Sequence, residues 1–471
     1  MRIWNRIPAL TALVALSACV VESPPKPEDY RPQAMPGVVV PEEWAAGDKE
    51  TGPVAGEWLA AFGDARLDAL IEEAMAHNPD LQVAAARVQV ASEYVELAGS
   101  TLYPQVNALA RGGGQMGGDA SGLQGGAILV DWELDLWGRV RSARAANTAG
   151  YEATVADTEY ARQSVAALVA KSYFLAVEAV LQQRLAEDMV AAAEQLVVLL
   201  EQREKIGRGD GFDAALARAN AETLRDSVVQ LSLAREQSLR ALETLIGRYP
   251  SATVDIASEL AKWPGPVPPG LPSELLERRP DVVAADRRIA TAFLRTEEAK
   301  AARLPTIKLT GSVSDITSEL FVLQDRDNPV WSAGGSLLAP LFTGGALKTQ
   351  VRIRSAEQRQ AIADYGRIGA RAFAEVENAL AAESAAGRRE QVLTRATAEN
   401  QRALELAEVR YKVGSGDLRG VGQQQLAVHG SRATLVRVQA ERLVQRINLH
   451  LALGGGFDAS PATVARTEES P

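Results

Sequence analysis

Asn78-Pro79-Asp80-Leu81 returns later in the chain as Arg279-Pro280-Asp281-Val282, and Leu102-Tyr103-Pro104 returns as Arg303-Leu304-Pro305. Both shifts are 201 (280 − 79 and 305 − 104). Lys205-Ile206-Gly207 and Leu245-Ile246-Gly247 return as Lys412-Val413-Gly414 and Ala452-Leu453-Gly454, now with a shift of 207 (414 − 207 and 454 − 247). A repeating unit of about 200 residues lies far above solenoid lengths, so the chain is a doubled domain. The slip of 6 residues (207 − 201) falls between the second proline and the later turn glycine.

The repeats occupy residues 57–247 and 273–456, separated by a Pro-rich linker, 248–272, that contains Trp263-Pro264-Gly265-Pro266-Val267-Pro268-Pro269. In the first repeat, residues 80–100 are Ala-rich and lack Gly until Gly99, which predicts a helix. Strands are expected at Gln105–Arg111 and Leu123–Leu136, flanking the Gly-rich loop Gly112–Gly122. From Arg139 to Ile206 there is no Pro, and only Gly150 interrupts. Those ~68 residues would make a helix about 100 Å long. Apolar residues at 3-4 spacing (Phe174, Val177, Leu181, Leu185) continue beyond a turn at 207–211 into a return helix through Leu245, predicting a coiled-coil hairpin over 139–247. The second repeat gives strands at Thr306–Thr317 and Trp331–Phe342, joined by Ser318–Pro329. Its hairpin spans 346–454, turns at Gly414 and Gly416, and stops at Gly454-Gly455-Gly456.

Charged residues (23%) and hydrophobic ones (46%) are in the globular range. A net charge of −10 with no basic block argues against nucleic acid as a partner. Arg2 and Arg6 followed by the apolar run Ile7–Leu16 read as a secretory signal over residues 1–18. Leu16-Ser17-Ala18-Cys19 resembles a bacterial lipobox, which makes Cys19 the lipid-bearing mature N-terminus; the bland reading is a signal that happens to contain a Cys. Residue 20 is Val and not Asp, which in such lipoproteins looks like permission to move on to the outer membrane. Cys19 is the only cysteine, so no disulfide forms within a chain. Residues 19–56, with Pro24, Pro25, Pro27, Pro32, Pro36, Pro41 and Pro53, predict an extended tether, and 457–471 a flexible tail. After Leu16 there is no unbroken run of 18 apolar residues, so any membrane-crossing part must be built of strands.

Two strand pairs give four strands, which cannot close a barrel, and open edges are not tolerated in lipid. If the strands cross a membrane, several chains must pool them. Tyr103, Trp132, Trp137, Trp331 and Phe342 sit at or near strand ends, as interfacial girdles do. The alternative is a soluble β-layer capping long helices. No enzyme is expected: His77, His429 and His450 are scattered, no Gly-x-Ser-x-Gly or Walker loop occurs, and no metal site or cofactor is indicated. Only 5 Met and 3 His argue against a dedicated copper or silver exporter. At the helix turns, Asp213 and Asp417 either close a ring of symmetry-related side chains or cap helix N-termini.

The chain resembles the outer-membrane factor proteins of the TolC and OprM type, within the NodT-like efflux lipoproteins. The most specific segment is Leu271-Pro272-Ser273-Glu274-Leu275-Leu276-Glu277-Arg278-Arg279-Pro280-Asp281. Asp131-Trp132-Glu133-Leu134-Asp135-Leu136-Trp137-Gly138, Pro340-Leu341-Phe342-Thr343-Gly344-Gly345 and Arg410-Tyr411-Lys412-Val413-Gly414 match in order. The resemblance implies a homotrimer whose twelve strands form one outer-membrane barrel continued by a periplasmic α-helical tunnel. It implies a periplasmic adaptor and an inner-membrane RND pump as partners, and passive exit of drugs or other small toxic compounds. It also makes Asp213, Tyr411 and Asp417 gate candidates, with Gly207, Gly414 and Gly416 at the adaptor-facing tip. The chain departs from the family at Gly420 and Gln423, where acidic residues are usual, which predicts a differently latched mouth. Two other readings stay open: the exit duct of a type I protein secretion system, and a non-channel periplasmic scaffold lipoprotein.

Overall fold

The computed structural model describes residues 21–46, 56, 58–111, 124–207, 210–317 and 330–456. The expectations for the signal segment, Cys19, the two strand-joining loops and the tail after 456 lie outside the described residues. The chain divides into two compact units. Unit 1 comprises Met1–Val38, Ala85–Asp157 and Asp281–Ala370; unit 2 comprises Val39–Ala84, Thr158–Pro280 and Arg371–Pro471.

The repeats match element for element. The first holds α2 (Ala65–His77), α3 (Pro79–Ser100), β1 (Gln105–Arg111), β2 (Gln124–Leu134), α4 (Arg139–Lys205) and α5 (Gly211–Leu245). The second holds α6 (Pro272–Arg278), α7 (Pro280–Ala301), β3 (Thr306–Thr317), β4 (Val330–Leu338), α8 (Ala346–Lys412) and α9 (Leu418–Ala452). Helices α3 and α7 both have 22 residues, α4 and α8 both 67, α5 and α9 both 35. At 1.5 Å per residue each 67-residue helix is about 100 Å long.

Within unit 2 the repeats are closed the same way. The residue before each Pro-Asp reaches the end of the return helix: Asn78 Nδ2 donates to the Leu245 carbonyl at 2.8 Å, and Arg279 Nη1 to that of Ala452 at 3.2 Å. Each return helix then stops on a left-handed glycine, Gly247 (φ 82°) or Gly454 (φ 68°). A Cβ at Gly247 would lie 2.7 Å from the His77 carbonyl oxygen, so glycine is required there for space as well as for φ. The core gathers Trp58, Phe62, Leu67 and Ile71 against Tyr173, Phe174 and Val177 of α4 and Leu242 of α5. The linker is part of this body: Glu243 accepts the backbone N–H groups of Ala252, Thr253 and Val254 at 2.6, 2.7 and 2.9 Å. Trp44 donates its Nε1–H to the Gly270 carbonyl at 3.0 Å, and Glu377 on α8 accepts the N–H groups of Ala45 and Ala46, both at 2.9 Å.

In unit 1, α7 packs on α4. Arg288 pairs with Asp157, Arg287 with Glu152 at 3.4 Å, and Arg295 Nη2 donates to Asn147 Oδ1 at 2.9 Å. The expected extended tether is interrupted by a helix, α1 (Pro27–Ala34). Pro27 stands in its first turn, where a missing N–H costs nothing, and Asp29 accepts the Lys26 N–H at 2.9 Å. Tyr30 of α1 is buried and donates to Asp286, with its ring edge-on to Tyr365 at 5.2 Å.

The four strands make one antiparallel sheet in the order β1-β2-β3-β4. Two strands stop short of the sequence expectation. β2 ends at Leu134, because Leu136 N–H folds back to the Leu134 carbonyl at 2.8 Å and Asp135 turns to cap α4, accepting Val140 N–H at 3.1 Å and Arg141 N–H at 2.9 Å. β4 ends at Leu338, before Pro340, which has no N–H to give a ladder. Gly138 (φ 72°) and Gly345 (φ 85°) are also 207 apart (345 − 138), so the 6-residue slip (207 − 201) is confined to the strand-pair region between Pro305 and Gly345. α4 also contains an 18-residue window of mean hydropathy 1.6 that passes a membrane-span test on length and composition, but half of that window is buried inside the chain. It is the core helix of the bundle.

Candidate functional site: the strand faces and the helix turns

The register sorts the strand side chains onto two unlike faces, because cross-strand partners share a face and neighbours alternate. One face carries the rows Val106–Val130–Gly311–Ala333, Ala108–Ile128–Val313–Trp331, Trp132–Leu309–Gly335 and Leu134–Ile307–Leu337. The other carries Gln105–Asp131–Thr310–Gly334, Asn107–Leu129–Ser312–Ser332 and Glu133–Lys308–Ser336, with apolar residues gathered toward its two ends in the rows Leu109–Ala127–Ser314–Val330 and Thr306–Leu338. Among the described residues all nine of β4 are exposed, and on the apolar face Trp331 is 75% exposed. A soluble antiparallel sheet buries one face on its own core. This one leaves large apolar side chains on one face exposed to solvent, which suits a barrel wall between lipid and a wet lumen better than a soluble β-layer.

The aromatics fall mostly at one end of the strands. Tyr103 precedes β1, Trp137 follows β2 and Phe342 follows β4, with Trp132 two residues inside the end of β2. Trp132 Nε1 donates to the Leu102 carbonyl at 2.9 Å and Trp137 Nε1 to that of Pro305 at 2.7 Å, fixing both rings to the turns between helix and strand. Trp331 is at the opposite end, where β4 begins.

At the turns, in unit 2, Gly207 (φ 71°) and Gly414 (φ 80°) adopt the left-handed conformation with open space beside them, so backbone geometry demands glycine. Gly416 has no positive φ; it lets the chain pass close to Arg410, whose Cβ would be 3.1 Å from an added Cβ. Asp417 is an N-cap, accepting Gly420 N–H at 2.8 Å. Its repeat mate is Asp210 (417 − 207), which caps α5 by accepting Phe212 N–H at 3.0 Å. The sequence reading missed Asp210, although the repeat shift points to it directly. Asp213 is not the cap. It is exposed in the first turn of α5 and lines a crevice of about 120 Å³ with Leu200, Leu216, Leu418, Arg419 and Gln423. Tyr411 lies under the Arg203 guanidinium, 4.6 Å from its ring centroid. The Tyr411 hydroxyl is buried and has no hydrogen-bond partner among the described residues.

Among the described residues no group of three or more His, Cys, Asp or Glu is placed to hold a metal ion. His77 is exposed and His429 half-buried, while His450 is buried and stacked on Trp58, ring centroids 5.4 Å apart. Burial, reinforced by the nearby Arg446 charge, pushes the His450 imidazole down to about 3. The unfolded chain therefore binds a proton below about 6.5 that the folded chain refuses until about 3. Stability should fall with acidification across that window, with a limiting slope of about 1.4 kcal/mol per pH unit. Thermal unfolding from pH 7 to 4 should show a shallower acid slope in His450→Gln; an unchanged slope would place the acid sensitivity elsewhere.

The sequence profile of the outer membrane efflux protein family matches residues 70–248 and 271–455. The chain is similar to the pyoverdine export outer membrane protein OpmQ of Pseudomonas putida, 29% identical over 96% of this chain and 97% of the relative. It is also similar to the cation efflux system protein CusC of Escherichia coli, 28% identical over 91% and 95%. Among solved structures, the open state of the Neisseria gonorrhoeae MtrE outer membrane channel is matched with a TM-score of 0.80 at 29% identity, covering 93% of this chain and 99% of that one. The fold is thus shared with a solved outer membrane channel along nearly the whole chain, and the chain belongs to the outer membrane efflux protein family.

Proposed function

We propose that this chain is the exit duct of a tripartite RND-type efflux system, coupled through a periplasmic adaptor to an inner-membrane pump. As a member of its family it is an outer-membrane efflux channel rather than an enzyme. The observation that supports a duct best is the sheet: an apolar face with exposed side chains, a largely polar face opposite, and, among the described residues, two edge strands, β1 and β4, each paired on one side only. Three copies supply twelve strands, enough for a barrel with a wet interior. The solutes are small compounds whose choice rests with the pump. Cys19 carries the covalent lipid, the sole non-protein group in this reading. Tyr103, Trp132, Trp137 and Phe342 form the inner interfacial girdle, and Trp331 belongs to the outer one.

The turns at Gly207, Gly414 and Gly416 face the adaptor, and the mouth closes by contacts around Asp213 and Tyr411. With Gly420 and Gln423 in place of acids and Asp417 engaged as a cap, the second repeat offers no free carboxylate at those positions. Arg203 over Tyr411 supplies one contact between the two hairpins, worth about 0.5–1 kcal/mol, beside Leu418, which packs on Leu200 and Ala214.

Purified trimer in planar bilayers should conduct, and deletion of the gene should raise susceptibility across a drug panel. A trimer that never conducts would sink the duct. Asp213→Ala should raise single-channel conductance several-fold; an unchanged trace removes Asp213 from the gate. Cys19→Ala should abolish incorporation of labelled palmitate.

A further inference from the structure

We infer that neighbouring copies meet along a seam that repeats the chain's own α7–α4 contact, with Arg87 on α3 of one copy paired to Asp364 on α8 of the next. The inference rests on the reading of the chain as an oligomeric duct and adds the residues that join it. Inside one chain β2 leads into α4, α7 leads into β3, β2 pairs with β3, and α7 packs on α4. The repeat maps that arrangement onto β4 leading into α8 and α3 leading into β1. Yet β4 and β1 are the opposite edges of the four-stranded sheet, so one chain cannot complete the second contact with itself. A second copy can.

Two of the three mapped contacts are complementary; the third, Arg287 with Glu152, maps to Ala86 (287 − 201) and Arg359 (152 + 207), which form no pair. Arg288 and Asp157, the ion pair between α7 and α4, have repeat mates Arg87 (288 − 201) and Asp364 (157 + 207). Both charges are kept with the same sign. Arg295 and Asn147 map to Tyr94 (295 − 201) and Arg354 (147 + 207), where a guanidinium can lie on an aromatic face. Arg87, Val90, Tyr94 and Leu97 follow 3-4-3 spacing and so share one face of α3. On that face Val90, Tyr94 and Leu97 are 54%, 57% and 63% exposed, more apolar surface than a solvated helix face presents. Asp364 meanwhile holds only its own helix neighbour Arg367, at 3.2 Å with both side chains about half exposed, among the described residues. That pair can be exchanged at little cost.

The test uses the full lipidated chain. In Arg87→Cys/Asp364→Cys, a short bis-maleimide should give covalent dimers and trimers on denaturing gels, whereas either single variant gives monomer. Arg288→Cys/Asp157→Cys, the contact inside one chain, should stay monomeric after the same treatment. Arg87→Glu should lower the temperature at which the unboiled trimer band disappears, and Arg87→Glu/Asp364→Arg should restore it. A trimer that assembles normally but cross-links only within single chains, or a charge swap no better than its single variants, overturns the seam. Loss of conductance in a cross-linked trimer would instead count against the duct, so the two failures are distinguishable.

Discussion

Arg446→Ala should lower the unfolding free energy of the chain by about 3–5 kcal/mol, the usual cost of removing one partner from a buried ion pair. The Arg446 side chain is 1% exposed and its partner Glu383 16%. Nε donates to Oε2 at 3.1 Å and Nη2 to Oε1 at 2.6 Å, the two-pronged geometry that binds carboxylates best. The guanidinium also lies 4.2 Å from the centroid of the Trp263 ring, on which Arg442 stacks at 3.7 Å, so it ties the linker to α9 as well as α8 to α9. Alanine leaves the Glu383 carboxylate poorly solvated and without its counter-charge. By contrast Arg66→Ala, at a pair whose side chains are 55% and 83% exposed, should cost under about 1 kcal/mol. Urea unfolding in detergent measures both. Equal losses at the two sites would refute the distinction, while Arg446→Met/Glu383→Leu should recover most of the stability because no orphan charge remains.

Val130→Arg should block assembly of the channel, through a cost of about 2–4 kcal/mol per copy for a cation on the lipid face of a barrel. Val130 lies in the row Val106–Val130–Gly311–Ala333, away from the aromatic end of the sheet. Ser312→Arg, adjacent in sequence to Gly311 but on the opposite face, should assemble normally and alter ion selectivity, because it enters the wet lumen. Heat-modifiable migration reads the first effect and bilayer conductance the second. If both variants assembled equally well, the assignment of faces would be wrong.

These contrasts divide what was legible in the chain. The hairpins were open to reading because a helix is a local object: a Pro-free stretch with 3-4 apolar spacing gave α4 and α8 to within a residue or two, and the duplicated glycines placed both turns. Aspartate capping at 417 was readable for the same reason. Asp210 was harder to single out because Asp213 stands three residues on, within the same first turn, and composition alone does not say which aspartate caps. α1 was hidden by its prolines, and it is held by Tyr30 on Asp286, 256 positions away. The Pro-rich linker was read only as a divider of the repeats, yet Glu243 and Trp263 fasten it to the core. Neither contact has a local signature.

The sequence by itself therefore determined the doubled domain, the length of every long helix and a strand count that cannot close a barrel. All of these follow from periodicity and punctuation within a few turns of chain. The tertiary structure alone decided which strand residues share a face and which buried charges meet. Strand side chains alternate with period two, so a one-residue shift in pairing would exchange the apolar and polar faces. That register is set where strands from the two repeats meet, as Val130 meets Gly311, and no local pattern contains it.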